Sequence, residues 1–405
     1  MRFCMVTTFY PPYHFGGDAT YVRALSRALV ANGHEVEVVH CEDAFRAAGG
    51  KDKDFTSSYD EDIVVHRLKS SFGFLSSLIT QQTGRPGLKH RMLSNVFKRD
   101  FDVINFHNIS LIGGPAVLGL SNAPVTLYTL HEHWLLCPTH IFWKNRKYAC
   151  DSRQCFMCSI KSGIPPQLWR YTDVVSHAIQ NVDMFLSPSA YTAKKHNDAG
   201  INSPMRVLPL FSMLEPENRI SFEPKQRPLF LYVGRITASK GIIPLVDYFS
   251  EAIELDLLVI GEGDLSRQLE QRYAKNENIR FSGYVQQSDL ISFYQQATAL
   301  IFPSLAPETF GLSIVEAFAC GTPVIVRDAG GSRELVDMTG GGIVYHSDEG
   351  LGDAVERLAY DVTLRLEMGE KARNGFEQYF TQKDHLAAYL GCVEDLLRNK
   401  NNKVH

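Results

Sequence analysis

Long hydrophobic runs are missing from this 405-residue chain. No stretch of about 18 apolar residues occurs, so no membrane-spanning helix is expected. Charge of one sign is also lacking: 41 Lys and Arg against 45 Asp and Glu leave −4, which argues against bulk nucleic-acid binding. No Gly-x-Gly-x-x-Gly follows the first strand-like run, and this argues against a nicotinamide-dependent oxidoreductase. A secretory leader is not legible either. Met1–Thr8 is too short for one and reads as a first strand, and a Pro11-Pro12 turn stands where a cleavage site would be. With no such leader, the eight cysteines point to reduced thiols or metal rather than disulfides, and cytoplasm is the expected location. Internal repeats and low-complexity segments are absent. What remains is an ordinary globular composition, 44% hydrophobic and 21% charged, at a length suited to two or three domains.

The stretch that organises the chain is Glu308–Thr322. Ahead of it, Ala299-Leu-Ile-Phe302 has strand character; behind it, Gly321 closes a helix and Pro323-Val-Ile-Val326 gives another strand. Strand, loop, helix and strand make one unit of a parallel sheet, whose ligands bind at the carboxyl ends of the strands. Glu308 falls in the loop, and Glu316 is expected in the first turn of a helix opening near Ser313. Between them, Phe310, Gly311 and Leu312 can offer backbone N–H groups to an anion. Carboxylates accept hydrogen bonds from vicinal hydroxyls, so the pattern suits a ligand that carries both sugar and phosphate. The alternative is that Ser313-x-x-Glu316 is only a capping box. Earlier, Leu229–Val233 reads as a strand leading into Gly234-Arg-Ile-Thr-Ala-Ser-Lys-Gly241, where Arg235 and Lys240 flank a helix start in a manner suited to a diphosphate. Gly261-Glu-Gly-Asp264 follows the strand Leu257–Ile260 and opens another helix, and Arg280–Val285 reads as a further strand.

In the first half, Gly16-Gly17 opens a helix after strand one, and such a pair lets backbone approach a phosphate or simply makes a tight turn. Residues 70–99 mix apolar side chains with bases; a solvated helix pair, or a contact with a membrane surface or an anionic acceptor, would fit. His131 follows the strand Val125–Leu130 and should project from its end. Cys137, Cys150, Cys155 and Cys158 then fall within 22 residues, as C-x12-C-x4-C-x2-C. They are candidates for a structural zinc site, with two disulfides or unrelated thiols as the alternatives. Pro216, Pro224 and Pro228 mark 212–228 as a linker between domains.

Glu308-x7-Glu316, Arg235…Lys240-Gly241, Gly261-x-Gly263, Gly340-Gly-Gly-Ile-Val344 and Tyr10-Pro-Pro…Gly16-Gly17 together resemble the retaining family-four glycosyltransferases of GT-B fold. The resemblance covers nearly the whole chain. Trp134-Leu-Leu-Cys137-Pro138 is similar to the subset with a cysteine cluster after the N-domain histidine. The fold so implied is α/β, two doubly wound Rossmann-like domains facing across a cleft. An acceptor-side domain at 1–211 would be followed by a nucleotide-sugar domain at 229–382, with a last helix at 383–405 crossing back. The activity implied is sugar transfer from a UDP-, GDP- or ADP-type donor to a saccharide or lipid-linked glycan, as in polysaccharide biosynthesis. Glu316 would bind the donor ribose, Glu308 the donor sugar, and Arg235 and Lys240 the diphosphate, without a catalytic metal. Val285 and Gly261 would lie near the base, Gly16 and Gly17 near donor phosphate and acceptor, and His131 against the sugar. Where the family has His-Asp, this chain has His131-Glu132. The Asp-x-Asp triplets at 52–54, 60–62 and 100–102 precede strands and read as solvated loop charge. An epimerase or phosphorylase of the same fold, and a non-catalytic partner-binding protein, remain as alternatives.

Overall fold

The computed structural model describes residues 1–50, 60–214, 216 and 227–404. Most of the linker expected over 212–228, and the triplet Asp52-Lys-Asp54, lie outside the described residues. The chain divides into two compact units. Unit one comprises 1–140, 154–208 and 383–405; unit two comprises 141–153 and 209–382.

Unit one is built on seven parallel strands: β1 (Arg2–Val6), β2 (Glu35–Cys41), β3 (Val64–Leu68), β4 (Val103–Phe106), β5 (Val125–Thr129), β8 (Met184–Ser187) and β9 (Met205–Val207). Their order across the sheet is β3-β2-β1-β4-β5-β8-β9. The antiparallel pair β6 (Trp143–Lys144) and β7 (Tyr148–Ala149) is not part of this sheet and falls in the segment 141–153 of unit two. Parallel strands covered on both faces read as continuous apolar runs, and Phe3-Cys4-Met5-Val6 is wholly buried. Helices supply the crossovers: α1 (Gly17–Ala31), α2 (Glu42–Ala47), α3 (Phe74–Thr83), α4 (His90–Phe97), α5 (Cys155–Lys161), α6 (Val174–Ile179) and α7 (Ala190–Asp198), which Ser189 caps through Thr192 N–H.

Unit two repeats the plan with β10 (Leu229–Val233), β11 (Asp256–Ile260), β12 (Ile279–Gly283), β13 (Ala299–Phe302), β14 (Val324–Arg327) and β15 (Gly342–Tyr345), in the order β12-β11-β10-β13-β14-β15. Its helices are α8 (Ile242–Glu251), α9 (Ser266–Arg272), α10 (Leu290–Gln296), α11 (Leu312–Ala319), α12 (Ser332–Thr339), α13 (Asp348–Tyr360) and α14 (Val362–Tyr379). The final helix, α15 (Gln382–Val404), belongs to unit one from Lys383 onward. There Tyr389 is fully buried and its hydroxyl accepts from Asn105 Nδ2 at 3.2 Å. In each sheet the strand order reverses beside the first strand, at β1/β4 and at β10/β13. Loops leaving neighbouring strands diverge at such a switch point and open a crevice for ligand.

Four local expectations need correction. The polar stretch 43–60, with its Gly49-Gly50 break, reads as loop in the sequence, but Glu42–Ala47 forms a helix with Glu42 and Asp43 as first-turn carboxylates; Glu42 also pairs with Arg46 and Lys69, and Asp43 accepts from Ser70 N–H. Asp60 is not solvated loop charge: Arg23 grips it through two hydrogen bonds of 2.8 Å, and Arg27 adds two more through Nε and Nη2. Gly375 reads as the end of a helix over 362–374, but α14 runs on to Tyr379. A Cβ at Gly375 would lie 2.3 Å from Thr339 Cγ2, so glycine permits the close approach of α12 to α14. The cysteine segment, which by its polarity reads as a loop without a core of its own, contains the β6–β7 hairpin and α5.

Gly241 shows how tightly the loops of unit two are packed. Its φ is +70°, and a Cβ would fall 1.9 Å from the Pro303 carbonyl oxygen. Gly241→Ala should therefore displace the loop after β13 and lower stability by about 2 kcal/mol or more, read by denaturant unfolding. An unchanged midpoint would show that the two loops are not held in contact.

Candidate functional site

In unit two, three loops are stitched together at the carboxyl ends of β10, β13 and β14. Leu305 and Ala306 N–H both donate to Ser239 O at 2.9 Å. Gly331 N–H donates to Glu308 O at 2.7 Å, and Glu308 N–H to Ala329 O at 3.2 Å. Only glycine fits at 330, since a Cβ would meet Glu308 backbone at 2.4 Å. This frame fixes Glu308, whose Oε1 accepts from Lys240 Nζ at 2.6 Å and from the Ser304 hydroxyl. Both charged side chains of the pair are about one-fifth exposed (23% and 18%), so they meet a ligand from one side only. Arg235 is exposed on the same loop as Lys240 and has no carboxylate partner among the described residues.

Helix α11 opens at Leu312, with Gly311 as its cap at φ +147°. Ile314 and Val315 N–H turn back to Gly311 O, while the N–H groups of Phe310, Gly311 and Leu312 donate to no acceptor among the described residues. These are the orphan donors of a helix start, next to the Lys240–Glu308 pair. Because the helix begins at Leu312, Glu316 lies in its second turn rather than its first. Ser313 makes no capping bond, so the capping-box alternative does not form. Glu316 is instead a buried carboxylate, accepting from Tyr294 Oη at 2.8 Å and Gln287 Nε2 at 3.0 Å. Burial raises its pKa, and the two hydrogen bonds hold the rise in check. The loops after β10, β11 and β12 are also joined: Gly261 N–H donates to Gly283 O at 2.9 Å and Ile236 N–H to Glu262 O at 3.1 Å. Val285, half-buried, follows at this edge.

Unit one assembles a second cluster at its own switch point. His131 Nε2 lies 2.9 Å from Nδ1 of His107, and the two rings stack. Tyr21 of α1 sets its ring edge against His131, while its hydroxyl meets His385 Nε2 at 2.7 Å. Burial, reinforced by His385, drops His131 to about 3, and burial keeps His107 well below the usual imidazole value. Both rings are neutral near pH 7, so they share one hydrogen in their contact and fix each other's tautomer. Nε2 of His107 is buried without a partner. Glu132, where the family pattern has Asp, turns aside to His140 Nδ1 at 2.6 Å. Gly16 and Gly17 are exposed at the start of α1, Gly16 at φ +78°. That first turn already carries the Asp18 carboxylate, which makes it less suited to a phosphate than the start of α11.

The four cysteines do not fit a zinc site. Among the described residues, no three His, Cys, Asp or Glu side chains converge to hold a metal ion. Cys137 Sγ is 3.2 Å from Thr139 Oγ1, Cys150 Sγ is 3.5 Å from Ser152 O, and Cys158 Sγ is 3.9 Å from Ser162 Oγ. Cys155 and Cys158 are taken up by α5. The Arg170 guanidinium lies 5.0 Å from the centroid of the Trp134 ring and 4.6 Å from that of Trp169, and it places a positive charge near Cys137 and Cys155.

Comparison with known proteins finds a family model on each half of the chain. The model described as Glycosyltransferase Family 4 matches 15–211, and that described as Glycosyl transferases group 1 matches 215–375. The chain belongs to the glycosyltransferases. This glycosyltransferase is 25% identical to an uncharacterised glycosyltransferase of Methanocaldococcus jannaschii, over 94% of each chain. It is 26% identical to the D-inositol 3-phosphate glycosyltransferase of an Arthrobacter species, over 94% of this chain and 91% of that one. Sucrose-phosphate synthase of Thermosynechococcus elongatus superposes with a TM-score of 0.75 at 20% identity, over 98% and 99%. The Anabaena protein HepE, in complex with UDP and glucose, gives 0.68 at 16%, over 98% and 100%. These likenesses establish the GT-B fold for the transferase.

Sequence reasoning missed His107, Tyr21 and His385 in the transferase, Asn108, whose Nδ2 donates to Asp18 Oδ2 at 3.4 Å, and also Tyr294, Gln287 and Ser304. His107 and Asn108 directly follow a strand, as His131 does, and the same rule would have found them. Nothing local marks the rest, which long-range packing brings in.

Acid should destabilise the transferase early. His40, His131 and His133 are held at about 3 and His196 at about 4, chiefly by burial, whereas unfolded imidazoles titrate near 6.5. The unfolded chain thus takes up protons first. Stability is complete above pH 6.5 and falls toward pH 4, by up to about 1.4 kcal/mol per pH unit for each ring. Urea unfolding between pH 7.5 and 5 should show this loss, before paired carboxylates titrate. A flat profile would mean that the rings protonate in the folded state.

Proposed function

We propose that the transferase moves a sugar, with retention, from a nucleoside-diphosphate-sugar of UDP, GDP or ADP type to a hydroxyl of a saccharide or lipid-linked glycan. The observation that carries the reading is the Lys240–Glu308 pair beside the unpartnered N–H groups of Phe310–Leu312. A site with two carboxylates would repel a diphosphate. Here Lys240 neutralises Glu308, and Glu316 is buried away within a hydrogen-bonded pocket, so the field left at the loop is set by Arg235 and the helix start.

The roles follow from that geometry. Arg235, Lys240 and the three N–H groups stabilise charge on the departing diphosphate by fixed donors, which is where electrostatic preorganisation acts most strongly. Glu308 accepts hydrogen bonds from donor-sugar hydroxyls through the oxygen that Lys240 does not hold. Glu316 accepts from the ribose diol, with Tyr294 and Gln287 setting its direction. Gly261 and Val285 line the base by backbone, and the exposed backbone at Gly16 and Gly17 gives room for the acceptor. His131, neutral and oriented by His107, supports the sugar at its reacting carbon. In the transfer the C1–O bond to phosphate breaks, a C1–O bond to the acceptor forms on the same face, and the acceptor proton passes to the departing phosphate oxygen. The donor class also has support in HepE, whose structure holds UDP and glucose.

Isothermal calorimetry with UDP, GDP and ADP tests the reading without knowledge of the acceptor. One nucleotide should bind, and the Arg235→Ala, Lys240→Ala double variant should weaken it by roughly 1–3 kcal/mol per lost charge-assisted contact. Absence of binding by all three would refute the donor site.

A further inference from the structure

Helix α3 is packed inside out. It buries Ser76, Ser77, Thr80 and Gln81 and leaves its apolar end in solvent, with Phe74 64% and Leu75 47% exposed. Phe72, just ahead of it, is 62% exposed. The buried polar face is not idle. Lys89 Nζ, itself fully buried, donates to Ser76 O at 3.2 Å and to Ser76 Oγ at 3.1 Å, and Gln81 Nε2 donates to Pro165 O at 2.9 Å. These bonds fix the helix with its apolar end outward, an arrangement that water alone does not favour.

Apolar exposure continues on the segments packed against α3. Residues 87–89 adjoin it through Lys89 and through Gly87, where a Cβ would lie 2.7 Å from Ile79; they carry Leu88, 42% exposed. Residues 168–171 adjoin its other end, where Trp169 Nε1 donates to Gln81 O at 2.8 Å; they carry Leu168 and Tyr171, each 64% exposed. Charge on the same stretch is one-sided. Residues 63–99 contain Arg67, Lys69, Arg85, Lys89, Arg91, Lys98 and Arg99, and no Asp or Glu, in a chain whose net charge is −4. Arg85, Arg91 and Lys98 are exposed and have no carboxylate partner among the described residues.

We infer that this face docks on an anionic lipid bilayer. Exposed aromatic and aliphatic side chains enter the headgroup boundary while the surrounding bases meet anionic lipid, the combination that holds monotopic proteins at an interface. No described helix is long and apolar enough to cross a membrane, so the contact is peripheral. A soluble acidic protein would match the bases but would leave Phe72, Phe74 and Leu75 in water; a second copy of this chain would have to bring like charge against like. The inference is independent of the nucleotide site.

Co-sedimentation with vesicles of phosphatidylcholine alone, and of phosphatidylcholine with phosphatidylglycerol, tests it on the full chain. Binding is expected to the anionic vesicles only and to fall with added salt. Phe72→Ser, Phe74→Ser and, separately, Arg85→Glu, Arg91→Glu should each weaken it at least about tenfold, with far-UV circular dichroism and the melting transition unchanged. All four positions are exposed, so the variants fold. No binding to anionic vesicles would overturn the inference, as would equal binding to both vesicle types that neither variant alters. A dimer in size-exclusion chromatography that Phe72→Ser, Phe74→Ser dissolves would also overturn it, since a second copy would then cover the face.

Discussion

The ion pair between Lys240 and Glu308 is the contact on which the unit-two site depends. It joins the loop after β10 to the loop after β13, across the point where the strand order reverses. It also answers an electrostatic problem, since a carboxylate next to a diphosphate is tolerable only when its own charge is already matched. At 2.6 Å and about one-fifth exposure, the pair is sheltered enough for the match to count and open enough for a ligand to reach it. Backbone bonds from Ser239, Ala329 and Gly331, and glycines at 241 and 330, hold the two loops at that distance.

Unit one solves a different problem with the same topology. Parallel strands deliver His107 and His131 to one edge, where the two rings stack and Tyr21 sets its ring edge against both. Burial keeps these imidazoles neutral, so the cluster orients hydrogen bonds without adding charge. The helix start in this unit is occupied by its own Asp18, whereas that of α11 is bare. This contrast assigns phosphate chemistry to unit two and hydroxyl recognition to unit one under the proposed reading.

Much of this was legible in the amino-acid order, for a physical reason. Continuous apolar runs such as Phe230–Val233 and Val324–Val326 mark strands covered on both faces, and glycine, proline and small polar residues mark their ends, so the alternating architecture follows from period and punctuation. The site residues of unit two sit within a few positions of strand ends, where sequence spacing translates directly into space. What escaped was set by packing at long range: Tyr294 against Glu316, His385 against Tyr21, and the inverted burial of α3. The cysteine spacing misled because Cys-x2-Cys also fits one turn of helix, as it does in α5. Charged residues at 42–43 and 60 looked like loop because composition does not show which carboxylates find partners.

A double-mutant cycle on Lys240 and Glu308 tests the central claim most directly. Lys240→Met, Glu308→Gln and the combined variant would be compared with the native protein in the rate of sugar transfer from its nucleoside-diphosphate donor. If the two side chains act as one unit, each single change lowers the rate and the combined variant is no slower than the worse single one. Losses that multiply, or a Glu308→Gln variant that transfers at the native rate, would contradict the account.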